Sequence, residues 1–175
     1  MKLKIKMRLL DPKCKPSIIE KGDWFDLYTR TETILGKNES KKIPLGICAE
    51  LPEEFEAWIV LRSSTPSKYK IIMINHFGII DYTYSGNEDE WKCPVLRTIM
   101  NEHKISKEGL PYVEMDNEEY ITIPAYTKIC QFRIFPSQKA RVITKLRWLI
   151  SHKVEIEYVD NLTKPNRGGF GSTGN

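Results

Sequence analysis

Phe55-Glu56-Ala57-Trp58-Ile59-Val60-Leu61-Arg62-Ser63-Ser64 carries apolar residues at 55, 57, 59 and 61 and then turns abruptly polar. Successive side chains of an extended strand point to opposite faces, so a period of two predicts a strand with one buried face and a polar end. The same alternation recurs at Lys2–Leu10, Ile121–Ile123, Ile129–Phe135 and Val154–Val159. Between these runs lie turn signals at Asp11-Pro12, Lys21-Gly22-Asp23, Leu51-Pro52, Ser85-Gly86-Asn87 and Phe135-Pro136. Short strands punctuated in this way predict a mainly β domain, a sandwich or barrel with few helices. Ala140–His152 places Val142, Ile143, Leu146, Leu149 and Ile150 at helical spacing, which predicts one short amphipathic helix near the C-terminus, with a strand as its competitor.

With 175 residues, 41% hydrophobic and 29% charged, the chain is long enough for one domain with a real core and too apolar for disorder. The expected division is a β domain over 1–164, interrupted by a polar, irregular excursion at 87–119, and a flexible glycine-rich arm at 165–175. Basic residues exceed acidic ones by 27 − 23 = +4. The pI near 8.8 falls short of a dedicated nucleic-acid binder. Lys2, Lys4, Lys6 and Arg8 form one face of the first strand and are read as protection of a sheet edge rather than as a nucleic-acid surface. No apolar run approaches the ~20 residues of a helical membrane span. The alternating N-terminus also lacks the apolar core of a secretory signal, so a cytoplasmic protein is expected. Cys14, Cys48, Cys93 and Cys130 are dispersed, with no C-x-x-C pair, and are expected to be reduced, mostly buried thiols.

The chemistry-bearing residues fall into separate segments. The tail Arg167-Gly168-Gly169-Phe170-Gly171-Ser172-Thr173-Gly174 combines glycines, hydroxyls, a guanidinium and a ring, each suited to a nucleotide, although a glycine-rich terminus taken alone is more often a disordered tail. It does not match the strand–GxxxxGK[ST]–helix phosphate loop. Arg62-Ser63-Ser64 alone is a polar strand end, and Asp81 within Gly78-Ile79-Ile80-Asp81 alone is a turn cap.

Together, Gly22-Asp23-Trp24-Phe25-Asp26-Leu27, Arg62-Ser63-Ser64, Gly78-Ile79-Ile80-Asp81 with Tyr84 and Gly86, Ile129-Cys130-Gln131-Phe132 and the tail from Arg167 resemble, in order, the trimeric dUTPases, in particular those of Gram-positive bacteria and their phages. The resemblance implies a distorted β-sandwich or jelly roll (the dUTPase β-clip) assembled as a homotrimer, with sites at subunit boundaries and the arm reaching a neighbour. It implies hydrolysis of dUTP to dUMP and pyrophosphate. Asp81 would orient and deprotonate the attacking water, and Asp26 would reach a Mg²⁺ through water. Arg62, Ser63, Ser64 and Gln131 would meet the phosphates. Asn75 and the backbone at Gly78 and Ile80 would read uracil, and Tyr84 would pack under the deoxyribose. Arg167, Phe170, Gly171, Ser172 and Thr173 would close the site. Two residues usual between the tail Arg and its glycine–aromatic pair are absent here, which affects Arg167 and Phe170. The competing functions are a dCTP deaminase of the same fold, for which the 78–86 hairpin lacks a Glu, and a regulatory module binding a protein partner through 87–119.

Overall fold

The computed structural model describes residues 2–18, 23–150 and 153–169. In chain order its strands are β1 (Lys2–Leu9), β2 (Ser17–Ile18), β3 (Phe25–Tyr28), β4 (Thr33–Gly36), β5 (Ser40–Pro44), β6 (Ile47–Glu50) and β7 (Phe55–Leu61). The short helix α1 (Thr65–Tyr69) follows, then β8 (Ile71–Met73), β9 (Gly78–Asp81), β10 (Lys92–Arg97), β11 (Glu102–Ile105), β12 (Pro111–Glu114), β13 (Tyr120–Ile123) and β14 (Lys128–Pro136). The helix α2 (Val142–Ile150) and β15 (Lys153–Tyr158) complete the chain's regular elements.

The alternating segments become the strands of a mainly β fold. The largest sheet runs β2-β3-β14-β7-β9, antiparallel throughout. On β7 the residues Phe55, Ala57 and Ile59 are buried, and on β14 Cys130, Phe132 and Ile134 are. Phe132 is fully buried, stacked on Phe25 at 5.0 Å and edge-on to Trp91 at 5.2 Å. Aromatic pairs of this kind add about 0.5–1.5 kcal/mol beyond the area they bury. Opposite lies β15-β1-β6, with Leu3, Ile5 and Met7 inward. All four cysteines are free and buried, and burial pushes the Cys14 thiol up to about 11 and that of Cys48 up to about 12.

Three features differ from what the sequence suggests. β1 is not an edge strand: β15 pairs with it in parallel on one side and β6 antiparallel on the other. Its lysines therefore border neighbouring strands, as in the 2.8 Å ion pair of Lys2 with Glu155. Within 87–119, β10 belongs to the body, paired with β5 and β8 and burying Cys93 and Val95, with Trp91 buried just before it. The part that projects is the β11–β12 hairpin, rooted on the fully buried Arg97, which donates to the carbonyls of Leu35, Glu118 and Glu119 and faces Asp116 at 3.5 Å. Finally, α2 lies within the segment of helical spacing but turns its aliphatic stripe outward, with Val142 72%, Leu149 79% and Ile150 84% exposed. Trp148 is the inward residue and tilts against Phe55 at 5.4 Å. The Glu54 carboxylate holds the first turn by accepting from the Arg141 backbone and guanidinium and from the Thr144 hydroxyl.

Phe132→Ala is expected to cost about 3–5 kcal/mol in urea unfolding, as for a large aromatic lost from a core. Leu149→Ala is expected to change stability by less than about 0.5 kcal/mol. Equal losses would show that the outward stripe of α2 is packed like a core.

Candidate active site

β7 carries one predicted cluster at its C-terminal end. Arg62 and Ser63 leave the strand where the Arg62 N–H donates to the Ile129 carbonyl, and Ser64 opens α1 by accepting from the Lys68 N–H. Ser63 and Ser64 are exposed. On the neighbouring strands, Asp26 of β3 stands opposite Gln131 of β14. Asp26 is 3% exposed, with Arg62 Nε 3.0 Å from Oδ1 and Lys128 Nζ 3.1 Å from Oδ2. One carboxylate between two half-exposed cations leaves a surplus of positive charge beside the two serines, a cradle for an anion. Lys128 was not among the residues singled out from the sequence. It sits where the β14 register shifts at Lys128/Cys130, three positions before Gln131, and a cation at a strand end is its only sequence signal.

The second cluster hangs from the other end of β7. β9 pairs antiparallel with it, bringing Gly78 opposite Ile59 and Asp81 opposite Glu56. Gly78 is buried, Ile80 half-buried and Asn75 exposed in the turn that precedes β9. Asp81 Oδ1 accepts from both the N–H and hydroxyl of Thr83, and Oδ2 lies 2.8 Å from Arg167 Nη1. Burial raises the proton affinity of the Asp81 carboxyl. The Thr83 donors, and after them the Arg167 guanidinium, outweigh burial and hold the carboxyl below its ordinary value. Tyr84 is half-buried, its hydroxyl donating to the Glu90 carbonyl at 2.9 Å, and burial pushes it up to about 12. Gly169 lies against that ring, where a Cβ would meet Tyr84 Cε2 at 3.0 Å. Phe170, Gly171, Ser172 and Thr173 lie outside the described residues, as does Gly22.

The two clusters do not meet within one chain. Arg62, just past the end of β7, is six residue steps from Glu56, beside Asp81, and at ~3.3 Å per step that is roughly 20 Å. Paired residues share a sheet face, however, so Asp26, Gln131 and Val60 form one row of the outer face and Asp81, Glu56 and Phe135 another. The row between them is Arg133, Trp58 and Ile79, with Phe77 5.2 Å from Trp58 and the Arg133 guanidinium 3.8 Å over the Phe135 ring. Ile79 is 56% exposed, so the two charged ends are joined by an uncovered apolar band.

Among the described residues no group of three or more His, Cys, Asp or Glu could hold a metal ion. Asp26 Oδ1 and Asp116 Oδ2 are the buried carboxylate oxygens without an aligned hydrogen-bond donor among the described residues; Asp26 Oδ1, with Arg62 Nε 3.0 Å away, is the one in the strand that carries this cluster, and it fits an ion bringing its own water and phosphate oxygens.

A family model described as dUTPase matches residues 20–89. The chain is 34% identical over 173 residues to the SPbeta prophage-derived deoxyuridine 5'-triphosphate nucleotidohydrolase YosS of Bacillus subtilis, covering 98% of this chain and 99% of that one. It is 31% identical over 175 residues to the deoxyuridine 5'-triphosphate nucleotidohydrolase of Clostridioides difficile, covering 98% and 97%. In shape it resembles the crystal structure of dUTPase from Streptococcus mutans, with a TM-score of 0.62, 17% identity and coverage of 78% of this chain and 98% of that one. It also resembles the dUTPase from phage phi11 of S. aureus, a structure that carries a structural Mg(II) ion in a mutant form, with a TM-score of 0.58, 18% identity and coverage of 79% and 94%.

Arg167→Ala removes the cation beside Asp81, so a carboxyl-carbon NMR titration of Asp81 is expected to show its pKa moving up. The stability contributed by this lowered carboxyl is present above the unfolded value of about 3.9 and is lost as pH falls through the folded one. The stability difference between the wild-type chain and Arg167→Ala should therefore shrink in acid. An unmoved Asp81 pKa would show that the ion pair does not persist in solution.

Proposed function

The chain belongs to the dUTPase family and is a dUTP diphosphatase, and we propose that it cleaves dUTP to dUMP and pyrophosphate at a site completed between copies of the chain, with Asp81 as general base. The observation that carries this is the division of the family-matched residues between the two ends of β7, on one sheet face with an exposed apolar band between them. A second copy covering that band would bring the Asp81 end of one chain to the Arg62, Ser63 and Gln131 end of the other, which supports a site shared between copies, as in the homotrimer that the family resemblance implies.

Asp81 is ionised at neutral pH, since its carboxyl lies below the ordinary carboxylate value. It takes a proton from water as the water oxygen bonds to the α-phosphorus, and the bond from that phosphorus to the bridging oxygen breaks to release pyrophosphate. Arg62 and Lys128, held by Asp26, supply fixed positive charge to the phosphate chain, and Ser63 donates a hydroxyl near the scissile bond. Backbone groups of Gly78–Asp81 discriminate uracil from cytosine, since a donor facing O4 would meet an amino group and be left unpaired at a cost of about 1–3 kcal/mol. Tyr84 packs under deoxyribose and excludes a 2′-hydroxyl. Asp26 would hold a bound Mg²⁺ through water, and the ion would supply positive charge to the phosphates.

A protein-binding role can be added to this chemistry by the projecting β11–β12 hairpin, on and beside which Ile105, Leu110 and Met115 are more than half exposed. Among the described residues no helix is long and apolar enough to cross a membrane.

Pyrophosphate release from dUTP, with little from dCTP, dTTP or UTP, is the expected activity. Asp81→Asn is expected to lower kcat by about two orders of magnitude or more while dUTP still binds. Ammonia released from dCTP would move the assignment to a deaminase, and unchanged turnover would remove Asp81 from the chemistry. Chains carrying Asp81→Asn and chains carrying Ser63→Ala, each inactive alone, are expected to regain activity when unfolded and refolded together. No recovery in the mixture would place both groups in a single chain's site.

A further inference from the structure

The phosphate cluster and the projecting β11–β12 hairpin are fastened to opposite ends of the same short helix. α1 begins at the cluster: the Arg62 N–H and the Thr65 hydroxyl both donate to the Ile129 carbonyl of β14, at 3.0 and 2.7 Å, and the Ser64 carbonyl accepts from the Lys68 N–H at 3.0 Å. The helix ends on Lys70, whose backbone is left-handed at a φ of 50°. Two residues that flank the hairpin grip this end. Thr98 donates its N–H and its hydroxyl to the Lys70 carbonyl, at 2.8 and 3.2 Å, and Asp116 accepts from the Lys70 ammonium at 2.8 Å. Asp116 is itself held in place: its side chain is wholly buried, Oδ2 faces the buried Arg97 guanidinium at 3.5 Å, and its N–H donates to the Asn101 side chain at 3.0 Å. Glu118 also accepts from Lys70 at 2.8 Å, but with a side chain 61% exposed.

We propose that Asp116, at the root of the hairpin, is a positioning residue for the phosphate cluster: through Lys70 it fixes the end of α1, and with it the orientation of Ser63 and Ser64 at the helix's start. A helix of five residues makes little more than one turn and cannot hold itself by its own hydrogen bonds, so whatever pins its two ends sets its direction. β14 pins the start and the hairpin root pins the end. The backbone at residue 70 points the same way. Glycine takes the left-handed conformation freely and a residue with a Cβ does not, so a lysine there gives up backbone ease for a side chain that reaches Asp116. The two carboxylates on that ammonium differ in burial. An exposed pair such as Lys70 with Glu118 is screened by water and weak, whereas a carboxylate shut between Lys70 and Arg97 is costly to disturb, and it makes the anchor stiff. The hairpin is thus a structural part of the phosphate site from which it projects.

The proposal rests on the dUTP-hydrolysing function, and it is tested by calorimetric binding of α,β-imido-dUTP and of deoxyuridine to the full chain. Lys70→Gly, which suits the left-handed backbone, and Asp116→Asn are each expected to weaken binding of the imido analogue roughly tenfold, the worth of one hydrogen bond to a charged phosphate. Deoxyuridine, which meets only the Asp81 cluster, should bind unchanged, and Lys70→Arg should recover most of the loss. The Gly and Asn substitutions alter net charge in opposite directions, so affinities that move oppositely would reveal a plain electrostatic effect and overturn the positioning role. An equal loss for deoxyuridine, the mark of a generally weakened fold, overturns it too. Glu118→Gln should change neither affinity by more than about twofold, and a tenfold loss there would move the anchor to the exposed pair. If Asp116→Asn folds poorly, Lys70→Gly decides alone: its loss should persist in about 0.5 M salt, which screens exposed charges, and a loss that vanishes there overturns the proposal. If the wild-type chain binds neither probe, the functional assignment fails. Amide exchange at Lys68 then still decides whether Asp116 holds α1, being several-fold faster in Lys70→Gly if it does and unchanged if it does not.

Discussion

Strand geometry imposes the distance that governs this molecule. β7 spans seven residues, and it holds Asp81 across from its first turn of pleat and Arg62 just past its last. Because a strand is stiff and its rise nearly fixed, no side-chain rotamer closes a gap of roughly 20 Å. The fold therefore presents two incomplete constellations rather than one complete site. Both face outward on the same surface because side chains alternate and register pairs share a face. The apolar band of Trp58, Phe77 and Ile79 between them is what an extended sheet face shows when another body is meant to cover it.

Each constellation keeps its carboxylate neutralised before any nucleotide arrives. Asp26 lies between Arg62 and Lys128, and Asp81 lies against Arg167. In both places the cation is half-exposed. The Asp26 carboxylate is almost fully buried, so it directs its cations toward solvent rather than competing for the ligand itself. Asp81 is open enough to exchange partners, as a group that must handle a proton requires. The same pair of residue types thus does two jobs, and the difference between them is burial.

Strand identity was readable in the sequence because period-two alternation is a local property: β1, β7, β13, β14 and β15 each begin and end within a residue or so of the alternating runs. Pairing was not readable in the same way. β1 reads as an edge in the sequence because its parallel partner is about 150 residues away, and no local pattern announces a contact at that separation. The helical period of α2 was legible, but its orientation was not, since Glu54 and Phe55 decide which face turns inward. At the site, Asp26, Asp81, Ser63 and Gln131 stood out through family resemblance, which says which residues act together but not that one chain holds them apart. Lys128 carried no signal beyond charge, and Asp116 looked like one more acid in a polar excursion until Lys70 was seen against it.

The parallel pairing of β1 with β15 bears on how this protein is made. Leu3, Ile5 and Met7 face the core from a strand made long before its parallel partner, which ends at Tyr158. A contact between segments so far apart demands closure of nearly the whole chain, which folding theory associates with slow, late steps. During synthesis the first strand has only β6 to lean on, and its other flank stays open to any extended peptide nearby. The alternating lysines at 2, 4 and 6 guard that interval: they keep the waiting strand charged and discourage like strands from adding to it before its parallel partner emerges.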